Sequence, residues 1–211
     1  MGNCETCDNV DRRHSTNLVL MDPQVGAAAP NDFPTPDFGN DIVREAAKKL
    51  GPFNYEVNYP YEWKPPVELE NGDVYIGQWK DGTRNGRGKQ FWKDGSFYEG
   101  YWENDMANGL GRVIHADGDV YEGDWVNDKP QGKGIYLHQD GASYTGEWLN
   151  DKQHGYGIER WIDGACYEGN FVDGLKHGHG KFVWSDGSQY DGEFRVNNIE
   201  GFGYYKWADK R

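Results

Sequence analysis

Gly2, Cys4 and Cys7 are the residues whose types and spacing point most directly to chemistry. The run Met1-Gly2-Asn3-Cys4-Glu5-Thr6 fits an N-myristoylation signal, with Gly2 as acceptor and Thr6 at the required hydroxyl position. One myristoyl chain holds a protein to a bilayer only marginally, with a constant of roughly 10⁴ M⁻¹, so a second signal is needed. Arg12 and Arg13 are the sole Lys or Arg residues before Arg44, which excludes a polybasic patch. Palmitoylation of Cys4 and Cys7 would supply the second signal instead. The plain alternative is a polar tail that matches a loose pattern by chance.

Other candidates for chemistry are weaker. The Asp and Glu side chains are numerous, but they recur with a fixed period and fall at turn or outward positions, so they make no acid–base pair. His177-x-His179 resembles the start of a metal site. Yet His177 shares its place in the period with His154, Gln131 and Asn108, and no cysteine pair lies nearby. The Gly-x-Gly pairs lie within a strand pattern and no helix follows them, unlike a phosphate-binding loop. No catalytic residue, cofactor site or metal site is therefore expected.

The elements that must position these residues are set by a period of 23. Tyrosine recurs at Tyr75, Tyr98, Tyr121, Tyr144, Tyr167 and Tyr190. Two residues on stand Gly77, Gly100, Gly123, Gly146, Gly169 and Gly192. Four residues on stand Trp79, Trp102, Trp125, Trp148, Phe171 and Phe194. Paired glycines follow, from Gly86 and Gly88 to Gly201 and Gly203, and Asp-Gly closes each of the first five units. Columns kept in register this far demand a repeat architecture. Within a unit, Tyr, Gly and Trp alternate and so share one face of a strand. Asp81-Gly82, Asn104-Asp105, Asn127-Asp128, Asn150-Asp151 and Asp173-Gly174 supply hairpin tips. If the turn centres on the seventh and eighth positions after the tyrosine, Glu99 stands opposite Arg112, Glu168 opposite Lys181 and Asp124 opposite Lys133 on the outer face, pairs worth roughly 0.2–1 kcal/mol each.

These units, of the form Tyr-x-Gly-x-Trp followed by Gly-x-Gly, resemble the MORN repeat. The resemblance covers about two thirds of the chain. It implies an all-β fold: one elongated, twisted sheet of consecutive hairpins over residues 67–211, opening with a half unit at Val67–Gly72. It also implies settings in which such arrays occur: ciliary and other cytoskeletal complexes, membrane-joining proteins, and appendages of lipid kinases and methyltransferases. An enzyme of that kind carries a separate catalytic domain, and no segment here fits one.

Upstream, residues 1–40 read as a flexible tail and 41–66 as a capping segment. Asp41–Leu50 has helical spacing of Ile42, Val43, Ala46, Ala47 and Leu50, a cap at Asn40 or Asp41, and a stop at Gly51-Pro52. A helix this short must dock, either on the array or on a partner. The stretch 52–66 is rich in aromatics and proline but has no Pro-x-x-Pro, which favours a cap over a polyproline ligand.

Composition bounds the function. Aromatic residues reach 15% against 36% hydrophobic overall, which suits a thin sheet of rings over glycine. A net charge of −13 repels phosphates, so nucleic acid is excluded as a partner. The 3 cysteines make no disulfide framework, consistent with a reducing, cytosolic setting or a cytosolic membrane face. The expected function is a non-enzymatic adaptor for protein assembly, in a cytoskeletal or ciliary axonemal complex or at a membrane surface. A lipid-binding module and an accessory subunit of an enzyme are the alternatives. Phe202, Tyr204, Tyr205 and Trp207 at the last unit, with no closing segment after them, are the expected contact with a partner or a second copy.

Overall fold

The computed structural model describes residues 33–209. A first strand β1 (Glu62–Glu68) precedes six hairpins. These are β2 (Val74–Lys80) with β3 (Thr83–Phe91), β4 (Phe97–Glu103) with β5 (Met106–Ile114), and β6 (Val120–Val126) with β7 (Lys129–Leu137). Then come β8 (Ser143–Leu149) with β9 (Lys152–Arg160), β10 (Cys166–Val172) with β11 (Leu175–Val183), and β12 (Gln189–Arg195) with β13 (Asn198–Lys206). Each strand pairs antiparallel with its sequence neighbours, giving one open sheet of 13 strands in chain order. At about 4.8 Å per strand the sheet spans roughly 60 Å.

Hairpin tips use two residues with positive φ, such as Asn104 (49°) and Asp105 (68°). This turn twists with the strands, and Asn, Asp and Gly tolerate it best. The sixth tip departs from that chemistry. Val196 sits at φ 50° beside Asn197, a costly conformation for a β-branched residue. Tips also reach back to the preceding hairpin. Asp105 donates its N–H to the Arg84 carbonyl (3.1 Å) and accepts the Arg84 N–H on Oδ1 (2.8 Å). Asp128 clips Ala107 and Asn197 clips Lys176 by the same two bonds. Asp151 meets Pro130, which has no N–H, and Gly174 has no side chain, so each keeps only the backbone bond.

The paired glycines do not share one role, as plain strand alternation would have them do. Between Gly100↔Gly111 and Trp102↔Ala107 the register slips, forming a bulge. Gly109 lies in that bulge at φ 92°, where a side chain would be strained. Gly111, by contrast, is needed for space.

The core lies on one face, called the ring face here. Each tyrosine ring lies over the glycines of its own hairpin. A Cβ at Gly100 would stand 2.5 Å from the Tyr98 hydroxyl and from Gly111 Cα. The six tyrosine hydroxyls all donate to the carbonyl three residues on, at 2.9–3.2 Å. Each ring from Tyr75 to Tyr167 is also gripped edge-on by two others, its own Trp or Phe and that of the next hairpin. Tyr98, for example, is 5.1 Å from both Trp102 and Trp125. Indole N–H groups of Trp102, Trp125 and Trp148 donate to Gly88, Gly111 and Gly134 carbonyls at 3.0–3.2 Å. Trp79 would look to β1, which is bulged between Lys64 and Val67, and its indole N–H is buried without a partner.

Candidate binding face

The opposite, or reverse, face carries the residues that alternate with the rings. Here the N-terminal segment lies across the first hairpins. Helix α1 (Asp41–Leu50) is capped by Asn40, whose side chain accepts the Val43 N–H. The Asn40 amide also donates to the Asp94 and Ala116 carbonyls, at 3.0 and 2.9 Å, tying the helix to two junction loops. Val43 is buried against Ile114 and Val120. Of the two docking options the sequence allows, the helix takes the array.

Beyond Gly51 the chain crosses the strands as an extended arm, held by side chains. Arg112 Nη2 donates to the Gly51 carbonyl (2.8 Å), and Arg87 Nε to Val57 (2.6 Å). Tyr101 accepts the Val57 N–H (2.6 Å), and Gln78 Nε2 donates to the Tyr59 carbonyl (2.7 Å). Arg112 also lies 5.7 Å from the Phe53 ring.

Glu99 faces Arg112 and Glu168 faces Lys181 in register, but only the first makes an ion pair; the Glu168 carboxylate accepts from the Tyr156 hydroxyl instead. The first is not on an outer surface, however. Arg112 Nε donates to Glu99 at 3.0 Å, Lys89 holds the other Glu99 oxygen at 2.7 Å, and the arm buries both Glu99 and Arg112. Asp124 does not face Lys133 across the ladder either, because it falls in the bulge of its hairpin. Its carboxylate accepts the Lys133 backbone N–H at 2.9 Å.

Past the arm the reverse face is open. A groove of about 700 Å³ runs over β5 to β9 between Phe53 and Tyr156, with Ile135 and Ile158 in its floor. A smaller cleft of about 470 Å³ lies between α1 and the β6–β7 hairpin, over Val120 and Leu137. At that junction Asp119 accepts from Tyr136 Oη (2.9 Å) and the Gln139 N–H (2.8 Å), with His138 Nδ1 at 2.9 Å. Burial pushes its carboxyl up, but these bonds outweigh it and hold it below the usual carboxylate range.

The sequence-predicted residues fall in three places. The Tyr, Gly and Trp or Phe columns form the ring face. Phe202 and Tyr204 are 89% and 87% exposed, and Tyr205 and Trp207 are exposed, Tyr205 packing between Trp184 and Trp207. These four do not make one patch. Tyr204 pairs with Asp191 on the reverse face, whereas Tyr205 pairs with Tyr190 on the ring face. Gly2, Cys4 and Cys7 lie outside the described residues. Among the described residues no group of three His, Cys, Asp or Glu could hold a metal, and no helix is long and apolar enough to cross a membrane. His179 faces Asp191 at 3.2 Å, and His154 Nδ1 receives the Asp173 N–H of the next tip at 3.5 Å. Sequence columns gave no sign of the tip-to-hairpin clips or of the seats that the arm occupies.

An open sheet of consecutive hairpins, each repeating one register of ring and glycine, defines a β-hairpin repeat protein. The chain belongs to the MORN-repeat family. The family model for the MORN repeat matches residues 75–97, 98–120, 121–143, 144–166, 167–189 and 190–210. No curated protein matches the chain. Similar solved structures include the TCP domain of SAS-4 (dCPAP) from Drosophila melanogaster, solved in complex with a proline-rich motif of Ana2 (dSTIL). It is 12% identical, covers 76% of this chain and 82% of its own, and has a TM-score of 0.39. The wild-type TCP10 domain of Danio rerio CPAP is 13% identical, covers 61% and 82%, and has a TM-score of 0.24.

Proposed function

We propose that this protein is a non-enzymatic adaptor whose hairpin array binds protein partners while its N-terminus tethers it to a membrane. The observation that supports this best is the reverse face. Over the first hairpins it already holds an extended protein segment, and the same face continues uncovered over the later ones. In this reading residues 67–211 are the binding array, 41–66 the fastener, and 1–40 the tether acylated at Gly2, Cys4 and Cys7. Phe202 and Tyr204 on one face, with Tyr205 and Trp207 on the other, give a further contact for a partner or a second copy. A cytoskeletal or ciliary assembly at the cytosolic side of a membrane is the setting in which such an adaptor would act.

Affinity capture of the tagged full chain, read by mass spectrometry, tests the reading. A reproducible protein partner that is lost when the outer ring-face and reverse-face aromatics are changed supports it. Salt-sensitive binding of residues 67–211 to anionic vesicles, with no protein partner, would favour a lipid-binding module instead. Intact-mass measurement of the native protein should show an acylated N-terminus; an unmodified one would remove the tether.

A further inference from the structure

Tyr55 of the arm occupies a defined seat. It sits on the reverse face where Gly88 pairs with Gly100, and its hydroxyl reaches the Gly88 carbonyl at 3.4 Å. Arg87↔Tyr101 and Lys89↔Glu99 frame that bare stretch of backbone. The Arg87 guanidinium lies 5.1 Å from the Tyr55 ring, and Tyr101 meets it edge-on at 5.6 Å. The repeat rebuilds this seat at every junction of hairpins. Gly111↔Gly123 carries Leu110↔Asp124 and Arg112↔Glu122 around it. Gly134↔Gly146 carries Lys133↔Glu147 and Ile135↔Thr145. Those two seats are the open groove, with Phe53 as its near wall.

We infer that the groove receives an extended segment of a partner protein that places two aromatic side chains, three residues apart, in consecutive seats. The inference rests on the adaptor reading above and names its ligand. Neighbouring seats are two strands apart, about 9.6 Å, which matches one three-residue turn of an extended polyproline II chain, at about 3.1 Å per residue, whose side chains return to the same side every three residues. Lys133 stands in the column of Arg87 and takes its place beside a ring. Glu56, Glu122 and Glu147 line the groove against that single lysine, so a cationic residue next to the rings completes the match. Residues 1–32 of this chain contain no Phe, Tyr or Trp and cannot supply the rings.

The probe is a fluorescein-labelled peptide carrying the run Tyr-Lys-Ala-Tyr-Lys, titrated against the full chain by anisotropy. Saturable binding is expected, at least tenfold tighter than with both tyrosines replaced by alanine. Ile135→Lys and, independently, Thr145→Arg fill the second seat and should each weaken binding tenfold or more. Ile135 is 42% exposed, so its variant should melt like the parent. Ile162→Lys, at a junction residue 74% exposed, should leave binding unchanged. Absence of saturable binding, or binding indifferent to whichever seat variant folds, overturns the inference. So does a dimer, seen by sedimentation, that dissociates on Ile135→Lys, because the occupant is then a second copy. A cellular partner captured equally by parent and Ile135→Lys removes the seats but leaves the adaptor reading standing. Failure to capture any partner overturns that reading itself.

Discussion

The first two hairpins and the last two share one backbone and differ in what covers them. On the ring face they are alike. Tyr75 and Tyr98 stand 5.1–5.3 Å from their flanking indoles, and Tyr167 and Tyr190 stand 5.0–5.3 Å from Phe171 and Phe194. On the reverse face Gln78, Glu99 and Arg112 are 1–3% exposed, whereas Phe202 and Tyr204 stand almost wholly in solvent. The repeat therefore fixes one face and leaves the other to be specified position by position. Burial on the second face belongs to the arm and not to the repeat.

Alkali should give the largest effect, and it should act on the face common to both regions. Burial pushes the hydroxyls of Tyr75, Tyr98, Tyr121, Tyr144 and Tyr167 above the ordinary tyrosine range. Unfolding exposes them, so above about pH 10 the unfolded chain releases protons that the fold retains. Their contribution is complete below that pH. Above it, stability should fall by about 1.4 kcal/mol per pH unit for each tyrosine. Urea midpoints that stay level from pH 9 to 11 would show that the rings are not buried.

Glycine substitutions on the ring face should next prove equal at the two ends. A Cβ at Gly100 or Gly192 stands 2.5 Å from the Cα of the glycine opposite, Gly111 or Gly203. Both Gly100→Val and Gly192→Val should therefore cost more than about 4 kcal/mol in their own hairpins. Hydrogen exchange resolves each hairpin, and a mild effect at either end would break the equivalence.

The reverse face should separate the two regions. Arg112→Ala leaves Glu99 buried under the arm with only Lys89 to pair it, a loss of about 3–5 kcal/mol. Lys181 faces Glu168 across the ladder near solvent, but the Glu168 carboxylate bonds the Tyr156 hydroxyl instead, so Lys181→Ala should cost under about 1 kcal/mol. Similar shifts in urea midpoint for the two would mean that the arm contributes nothing there. A change of the opposite sign concerns one turn. Val196→Asn relieves a left-handed β-branched residue and should stabilise the sixth hairpin by about 1 kcal/mol. Exchange of the β12 and β13 amides would report it, and faster exchange in the variant would contradict the turn assignment.

Much of the ring face was legible in the sequence because its constraints are periodic. Tyr, Gly and Trp columns located the strands, Asn-Asp and Asp-Gly located the tips, and Asn40 and Gly51 bounded the helix. With the tip at Asn104-Asp105, plain alternation sets Glu99 opposite Leu110, and the bulge at Gly109 brings Arg112 into that place. The burial of that pair was hidden, because the arm is held by Gln78, Arg87, Tyr101 and Arg112, and each differs from the residue at the same place in the next unit. The bulge at Gly109 was also hidden, since a glycine needed for backbone angle reads the same as one needed for space. The division of Phe202 and Tyr204 from Tyr205 and Trp207 was available from alternation, which sets neighbouring residues on opposite faces.

The clips between successive tips have a mechanical consequence. Joints at Arg84–Asp105, Ala107–Asp128 and Lys176–Asn197 are cross-braced by backbone and side chain, whereas Pro130–Asp151 carries one strut and Gln153–Gly174 one with a longer Asp173 N–H to His154 Nδ1 contact of 3.5 Å beside it. Stiffness is therefore graded along the array, with the two compliant joints on either side of the fourth hairpin. Gly174→Asn would add the missing brace, and a narrower spread of sizes in small-angle scattering would register it. Under a bending load this sheet should behave as a leaf spring clamped at both ends, flexing about β8 and β9, at the edge of the open groove.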